Sequence, residues 1–205
     1  MSGADGTASR RPSWAGSISA TLIGRSASSG STAGRRVTSR VAAPYAARRG
    51  TVAIDDGRLR LVERSAAPAQ PRGDLLQAGP LLVVDGEIVF DADDDREGFS
   101  AGAGQFDSDI TDGRYPRAAL GVSSESLVAL ACDGRRSNVD GGLSMLELAE
   151  AMVELGADSA INLDGGSTTL VHRGHLLNRP YSTQEQPAPA SRKVVSALAF
   201  GVIRP

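Results

Sequence analysis

The residues best suited to chemistry follow one another where a buried strand should end. Residues 161–171 read INLDGGSTTLV. Alternate side chains of a strand share a face, so Ile161 and Leu163 should point to the core, and Asn162 and Asp164 the other way. The two glycines that follow allow a ligand to approach backbone N–H groups closely. This stretch indicates either a glycine turn at a strand end or a site for an anionic or sugar ligand.

A second carboxylate follows another strand, in LVALAC-DGRR. Here Asp133 precedes a glycine and Arg135, a pattern that an Asp–Gly turn with solvated arginines explains equally well in isolation. Arg117 and Arg192 stand at the starts of two further strands, and the planar guanidinium binds phosphate through paired hydrogen bonds. Taken together, these residues predict a pocket that holds two carboxylates, Asp133 and Asp164, and several arginines.

Such a pocket suits the hydrolysis of a glycosyl phosphodiester. Positive charge grows at the anomeric carbon while a negatively charged phosphate departs, so both carboxylates and guanidinium groups are needed. Phosphate is already a competent leaving group, which reduces the need for a strong general acid. One carboxylate acting as nucleophile or as base for water can then suffice.

Three other candidates favour structural interpretations. The run DADDDREG at 91–98 carries alternating acids, but Arg96 stands where a calcium-binding EF-hand loop needs glycine, so a solvated acidic loop is predicted. His172 and His175 flank a two-residue turn without a further His or Cys cluster, which indicates hairpin side chains rather than a zinc site. Cys132 has apolar neighbours and is predicted to be a buried strand thiol rather than a nucleophile.

The elements that must position these residues are predicted to form one α+β domain over residues 51–205, with a mixed, largely antiparallel sheet and one central helix. Turn residues at 55–57 and 85–86, and the short link SSES, imply hairpins and antiparallel pairing. Ser144 and Glu147 have the spacing of a capping box, and Gly156 should end the helix. Its buried face is predicted to consist of Met145, Leu148, Ala149 and Met152.

Residues 1–50 are rich in Ser, Ala, Gly and Arg and are predicted to be a low-complexity, disordered arm. Residues 1–72 carry twelve arginines against four acids, whereas the remainder carries ten basic residues against twenty acids. We do not expect nucleic-acid binding, because only Trp14 and Tyr45 could stack with bases near this charge.

An Arg pair before a Ser-interrupted apolar segment gives only a faint export signal. The longest apolar runs are too short to span a membrane, so no transmembrane segment is predicted.

Three motifs in order carry a resemblance to a known family. The segments DGRRSNVDGG, INLDGGSTTLV and LLNRP, together with QAGPLLVVDG and GRYPRAALGV, resemble the phosphodiester glycosidase family from about residue 77 to the last strand. The resemblance implies a hydrolase and places Asp133 and Asp164 within its matched motifs, without assigning a chemical step to either; from their residue types we predict that these two are the catalytic carboxylates. It implies the following substrate-binding residues: Arg117, Arg135, Asn162, Gly165, Gly166, Ser167, Thr168, Asn178 and Arg192. No cofactor and no metal site are expected.

The sequence departs from the family pattern before residue 77, where an Asn-Gly-Gly segment is expected and the low-complexity arm stands instead. Two hypotheses follow. The first is a hydrolase that cleaves a small-molecule or glycan sugar-1-phosphodiester. The second is a catalytically impaired relative that binds glycans or phosphoglycans of the cell envelope. A phosphate loop of an actin-like or sugar-kinase ATPase is set aside, because such folds need a second loop and a longer chain. The sugar, its aglycone, the localisation and the oligomeric state stay open.

Overall fold

The computed structural model describes residues 18–24, 41–55, 58–70, 73–103, 110–135, 140–165, 170–178 and 196–202. Two α-helices lie in these ranges, α1 (Ala43–Ala46) and α2 (Met145–Glu154). The strands are β1 (Ile18–Gly24), β2 (Gly50–Asp55), β3 (Arg58–Glu63), β4 (Leu75–Gln77), β5 (Leu81–Val84), β6 (Glu87–Ile88), β7 (Arg117–Val122), β8 (Leu127–Cys132), β9 (Ser159–Asn162), β10 (Val171–His172), β11 (His175–Leu176) and β12 (Ser196–Val202).

The largest sheet has five strands in the order β6-β5-β9-β7-β8, and every neighbouring pair is antiparallel. A three-stranded antiparallel sheet has the order β3-β2-β4, and β1 pairs with β12 as β10 does with β11. The described chain therefore has the predicted α+β class, with antiparallel sheets and one main helix. Strand β4 is too short to give a pattern in the sequence and was not predicted.

Two apolar clusters cover the two faces of the five-stranded sheet. On one face, Leu148 and Met152 of α2 pack against Val83, Ala119 and Ala160. On the other face, strand residues of the five-stranded sheet meet β2 and β3 in a cluster of Val52, Leu61, Leu81, Leu120 and Ile161. The sheet is thus the middle layer between α2 and the three-stranded sheet. This arrangement explains why β9 has neighbours on both faces and almost no exposed side chain before residue 163.

Helix α2 begins and ends where the sequence predicts. The Ser144 side chain accepts a hydrogen bond from the Glu147 N–H at 3.2 Å, and Glu147 accepts one from the Ser144 N–H at 2.8 Å. The bond from the Ser144 N–H lowers the pKa of the Glu147 carboxyl below its usual range, and a second hydrogen bond, donated to this carboxylate by the Arg114 side chain, lowers it further. Gly156 has a φ of 81° and ends the helix. The predicted buried face is confirmed in full.

The predicted hairpins are confirmed by the pairing of β2 with β3, β5 with β6, β7 with β8 and β10 with β11. Two segments within residues 1–50, the arm that the sequence predicts to be disordered, belong to the described part of the chain. Ile18–Gly24 forms β1, which pairs with all seven residues of β12. Arg49 and Gly50 are buried at the start of β2, directly after α1. None of the helices in the described ranges is long and apolar enough to cross a membrane.

Candidate active site

Most of the predicted site residues lie along one edge of the five-stranded sheet, at the ends of its strands. In β7, Arg117 opposes Cys132 of β8, and Ala119 opposes Asn162 of β9. Because both neighbours run antiparallel to β7, the residues that follow β8 and β9 meet the residues that precede β7. We call this edge the site edge and define it as Gly79–Pro80, Tyr115–Arg117, Asp133–Arg135 and Asn162–Gly165.

Gly134 and Gly165 allow the segments that follow β8 and β9 to pack closely on Pro116. A Cβ atom added at Gly165 would lie 2.1 Å from the Pro116 carbonyl oxygen, and one added at Gly134 would lie 2.8 Å from the Pro116 nitrogen. No other residue type fits at either position without a shift of the backbone. The glycines therefore bring Asp133 and Asp164 to opposite sides of β7, with backbones about 10 Å apart for strands spaced at about 4.8 Å.

Both aspartates follow closely on the ends of their strands, Asp133 directly after β8 and Asp164 two residues after β9. The Leu163 N–H donates to the Ala118 carbonyl at 2.8 Å, and Asp164 is the next residue. Leu163 packs with Ile161 in the second apolar cluster, as the strand alternation predicts. Asp164 is exposed and Asp133 is half-buried, so the edge presents a carboxylate to solvent.

Arg117 is buried and its guanidinium bonds to backbone oxygens. It donates to the carbonyls of Ile110 at 2.7 Å, Leu143 at 3.1 Å and Gly113 at 3.2 Å. Burial lowers the pKa of Arg117 below its usual range, although the charge stays on the group. This geometry makes Arg117 a residue that holds the loop at 110–113 and the start of α2 in place. Its predicted contact with phosphate stays a prediction.

Asn162 is buried and joins β9 to the turn before β5. Its side-chain amide donates to the Gly79 carbonyl at 2.8 Å, and the Gly79 N–H donates to the Asn162 carbonyl at 2.9 Å. The Asn162 N–H donates to the Pro80 carbonyl at 3.0 Å. The side-chain oxygen of Asn162 is buried and has no hydrogen-bond partner among the described residues. Asn162 thus fixes the direction in which the chain leaves β9 towards Asp164.

Arg135 lies at the mouth of the site edge in a strained conformation. Its φ is 65°, a left-handed value that costs a non-glycine residue about 1–2 kcal/mol. Its guanidinium carbon lies 5.6 Å from the centre of the Tyr115 ring, and that of Arg117 lies 5.3 Å from the same centre. Sequence analysis did not single out Tyr115, because an aromatic residue before a Pro-Arg pair has no pattern of its own.

A buried ionisable pair beside Gly79 was also missed. Glu97 accepts hydrogen bonds from the N–H groups of Gly50 at 2.6 Å and Leu81 at 2.8 Å, which ties the three-stranded sheet to the five-stranded sheet. Burial raises the pKa of Glu97 despite these bonds and the nearby charge of Arg49. The Arg49 guanidinium stacks 3.9 Å from the centre of the Phe99 ring, and two of its buried nitrogens, Nε and Nη2, have no partner within the ranges that the structure describes.

These positions correct the interpretation of two sequence segments. The acidic run at 91–98 is solvated at Asp91, Asp93 and Asp94 as predicted, but its last acid, Glu97, is buried and bonded to two strands. A charge at the end of an acidic run gives no sign of burial. Cys132 is half-buried rather than buried, because β8 is an edge strand, and burial raises the pKa of its thiol, with nearby carboxylates adding to the effect.

The remaining predicted residues lie elsewhere or outside the described ranges. Asn178 caps the β10–β11 hairpin, where its side-chain oxygen accepts a hydrogen bond from the Leu170 N–H at 2.7 Å. His172 and His175 pair across this hairpin and are exposed, as predicted. Gly166, Ser167, Thr168 and Arg192 lie outside the described residues. In the part of the chain that is described, no three His, Cys, Asp or Glu residues come together as a metal site would require.

Comparisons with known proteins were made for the sequence and the fold. A family model for phosphodiester glycosidase matches residues 20–201. No curated protein matches the sequence. Among solved structures, the fold is similar to the catalytic domain of zebrafish N-acetylglucosamine-1-phosphodiester alpha-N-acetylglucosaminidase, auto-inhibited by its pro-peptide. That match has a TM-score of 0.56 and 19% identity, and covers 77% of this chain and 53% of the zebrafish chain.

Two bacterial structures are also similar. A protein of Burkholderia pseudomallei K96243 described as exported is 29% identical over 70% of this chain and 28% of its own length, with a TM-score of 0.50. A hypothetical protein from Synechocystis is 22% identical over 78% of this chain and 35% of its own, with a TM-score of 0.48. The chain spans about half the length of the zebrafish domain and less of the other two.

The family match extends the resemblance that the motifs carry. The motifs alone place its start at about residue 77, whereas the match begins at residue 20, before β2, β3 and β4 and inside the arm that was predicted to be disordered. The three-stranded sheet that packs on the site-bearing sheet is therefore part of the matched region. Since the match covers most of the sequence, the chain belongs to the phosphodiester glycosidase family.

Proposed function

We propose that this protein hydrolyses a sugar-1-phosphodiester, releasing the free sugar and a phosphomonoester at the site edge. The observation that carries the proposal is the packing of Gly134 and Gly165 on Pro116, which places two carboxylates on either side of one strand. Membership of the phosphodiester glycosidase family supports the same reaction class. The sugar and the group on the far side of the phosphate are left open by both observations.

In the proposed reaction, a water oxygen forms a bond to the anomeric carbon while the bond from that carbon to the phosphate oxygen breaks. The phosphomonoester leaves with the bonding electron pair, and a carboxylate takes the proton of the attacking water. A second carboxylate offsets the positive charge that grows on the sugar. If a carboxylate attacks first, water then hydrolyses the sugar–enzyme ester and the net change is the same.

We assign the direct role to Asp164 and the supporting charge to Asp133. Asp164 is exposed, and β9 is held on both sides by β5 and β7, so its carboxylate starts from a rigid backbone. Asn162 adds to that rigidity through its bond to the Gly79 carbonyl. A base held in position contributes about 10²–10⁴-fold to the rate.

The arginines supply the attraction for phosphate. Arg135 is exposed at the edge and is the guanidinium that we expect to contact the phosphate oxygens. Arg117 acts through its charge, because its described hydrogen bonds are all to neutral carbonyl groups. Gly166, Ser167, Thr168, Asn178 and Arg192 are proposed to complete the substrate pocket.

The test is the release of sugar from a panel of sugar-1-phosphodiesters by the purified chain and by Asp164→Asn. The matched control is Asp158→Asn, since Asp158 precedes β9 at the end of the strand opposite to the site edge, where it accepts a hydrogen bond from the Ser124 N–H. We expect turnover to fall by about 10²–10⁴-fold in Asp164→Asn and to be kept in Asp158→Asn. Full activity of Asp164→Asn would remove this residue from the mechanism.

The second hypothesis, a phosphoglycan-binding module, is an outcome of the same experiment. Saturable binding of the phosphodiesters without release of sugar by the unmodified chain would support it. Binding would then depend on Arg135 and not on Asp164, because a binder needs the charge that meets the phosphate but no base.

A further inference from the structure

We propose that Tyr115 is a positioning residue that holds the guanidinium of Arg135 over the site edge and thereby selects substrates with an anionic phosphate leaving group. The inference rests on the function proposed above. Tyr115 lies inside the segment GRYPRAALGV, but neither its residue type nor the resemblance assigns it a role in the site.

The ring of Tyr115 is a fixed platform. Its backbone N–H donates to the Leu143 carbonyl at 3.1 Å, and the Leu143 N–H donates back to the Tyr115 carbonyl at 3.0 Å. The ring also packs against Gly113, where an added Cβ would lie 3.3 Å from ring atom Cε2. The loop that carries Gly113 is in turn held by Arg117. The ring therefore has little freedom to move away from the edge.

Arg135 needs such a platform. Its side chain is long and exposed, and ordering it on a phosphate costs conformational entropy unless it is held beforehand. Its backbone has the left-handed φ of 65° and follows Gly134, which is packed on Pro116. The direction in which the side chain leaves the backbone is thus set, and the ring 5.6 Å away draws the guanidinium towards its face.

The two guanidinium groups near one ring produce a local positive charge. Arg117 lies 5.3 Å from the ring centre and bonds to carbonyl oxygens, so its charge adds to that of Arg135. An anionic phosphate that leaves beside this ring is stabilised, whereas a neutral leaving group gains nothing from it. Tyr115 should consequently affect the discrimination between these two substrate types rather than catalysis in general.

The experiment compares an aryl phosphodiester of a sugar with the uncharged aryl glycoside of the same sugar. It uses Tyr115→Leu, Tyr115→Phe, Arg135→Ala and the double variant Tyr115→Leu/Arg135→Ala. In Tyr115→Leu we expect KM for the phosphodiester to rise about tenfold, in line with the attraction between a ring and a cation. The uncharged glycoside should be affected no more than about twofold, and Tyr115→Phe should behave as the unmodified chain because it keeps the ring.

The double variant separates positioning from a general structural effect. If Tyr115 acts through Arg135, Tyr115→Leu should add nothing in the Arg135→Ala background. Tyr45→Leu is the matched control, since Tyr45 is also half-buried but has no arginine stacked on it in the described ranges. Additive losses, equal losses for both substrates, or a Tyr115→Phe variant as impaired as Tyr115→Leu would overturn the inference.

Binding separates this inference from the proposed reaction. The dissociation constant of a hexose 1-phosphate is measured by calorimetry for the same variants. If the unmodified chain binds the hexose 1-phosphate but releases no sugar, the proposed hydrolysis is wrong. Non-additive effects of Tyr115→Leu and Arg135→Ala on Kd would still support the positioning role. Binding without that coupling overturns the positioning role alone. A chain that neither binds the hexose 1-phosphate nor hydrolyses either substrate overturns both.

Discussion

Gly165→Ala should disable the site while leaving the fold intact. The added Cβ atom would lie 2.1 Å from the Pro116 carbonyl oxygen, whereas ordinary contact begins at 3.4 Å, so the two backbones must separate by the difference, 1.3 Å. A displacement of about 1 Å in a catalytic geometry can cost about 10²-fold in rate. Overpacking of this kind typically lowers the free energy of unfolding by about 1–3 kcal/mol. We therefore expect kcat/KM on a sugar-1-phosphodiester to fall about 100-fold.

The assay is steady-state hydrolysis combined with urea unfolding of the same preparation. Gly102→Ala is the control, because the nearest atom to an added Cβ there is the Ser100 hydroxyl at 3.7 Å, an ordinary contact. It should keep both activity and stability. If Gly165→Ala were as active as Gly102→Ala, the close packing of β9 on Pro116 would not be what positions Asp164, and the reasoning would be refuted.

Two further predictions concern the supports of the site edge. Asn162→Ala should lower the free energy of unfolding by about 1–3 kcal/mol, because the Gly79 carbonyl loses a buried donor, and an unchanged urea midpoint would contradict this. For Glu97, burial raises the pKa in the folded state, so folding favours the protonated form. Stability from this group is complete below the unfolded pKa of about 4.3 and falls as pH rises through the folded pKa. The melting temperature is measured for the unmodified chain and for Glu97→Gln across a range of pH. The difference between the two, unmodified minus variant, should become smaller as the pH rises, and a difference that grows with pH would count against the raised pKa.

The sequence predicts the elements that have strong local signals. The capping box at Ser144, the glycine end of α2 and the turn of the β5–β6 hairpin each depend on residues within a few positions, and each is confirmed. The alternation at Ile161 and Leu163 also assigns the correct core face, because a strand inside a sheet imposes its period of two on the sequence.

Features that depend on distant contacts were not predictable. Strand β1 is stabilised by β12 from the far end of the chain, and a Ser-rich segment gives no local sign of such pairing. Glu97 lies in an acidic run, yet its burial depends on N–H groups of Gly50 and Leu81 that only the packing of two sheets brings together. Arg117 was predicted from its residue type, its place at the start of a strand and the resemblance, none of which shows whether a guanidinium meets a ligand or backbone carbonyls.

The most direct test of the central claim is to identify which bond breaks, by running the hydrolysis in water labelled with heavy oxygen. The proposed reaction breaks the bond between the anomeric carbon and the phosphate oxygen, so the label should enter the sugar, and phosphorus NMR should find the phosphomonoester unlabelled. Phosphate oxygens do not exchange with water during such an assay, which makes this product a stable record. Label in the phosphomonoester would mean that water attacks phosphorus, and would contradict the assignment of Asp133 and Asp164 to chemistry at a sugar carbon.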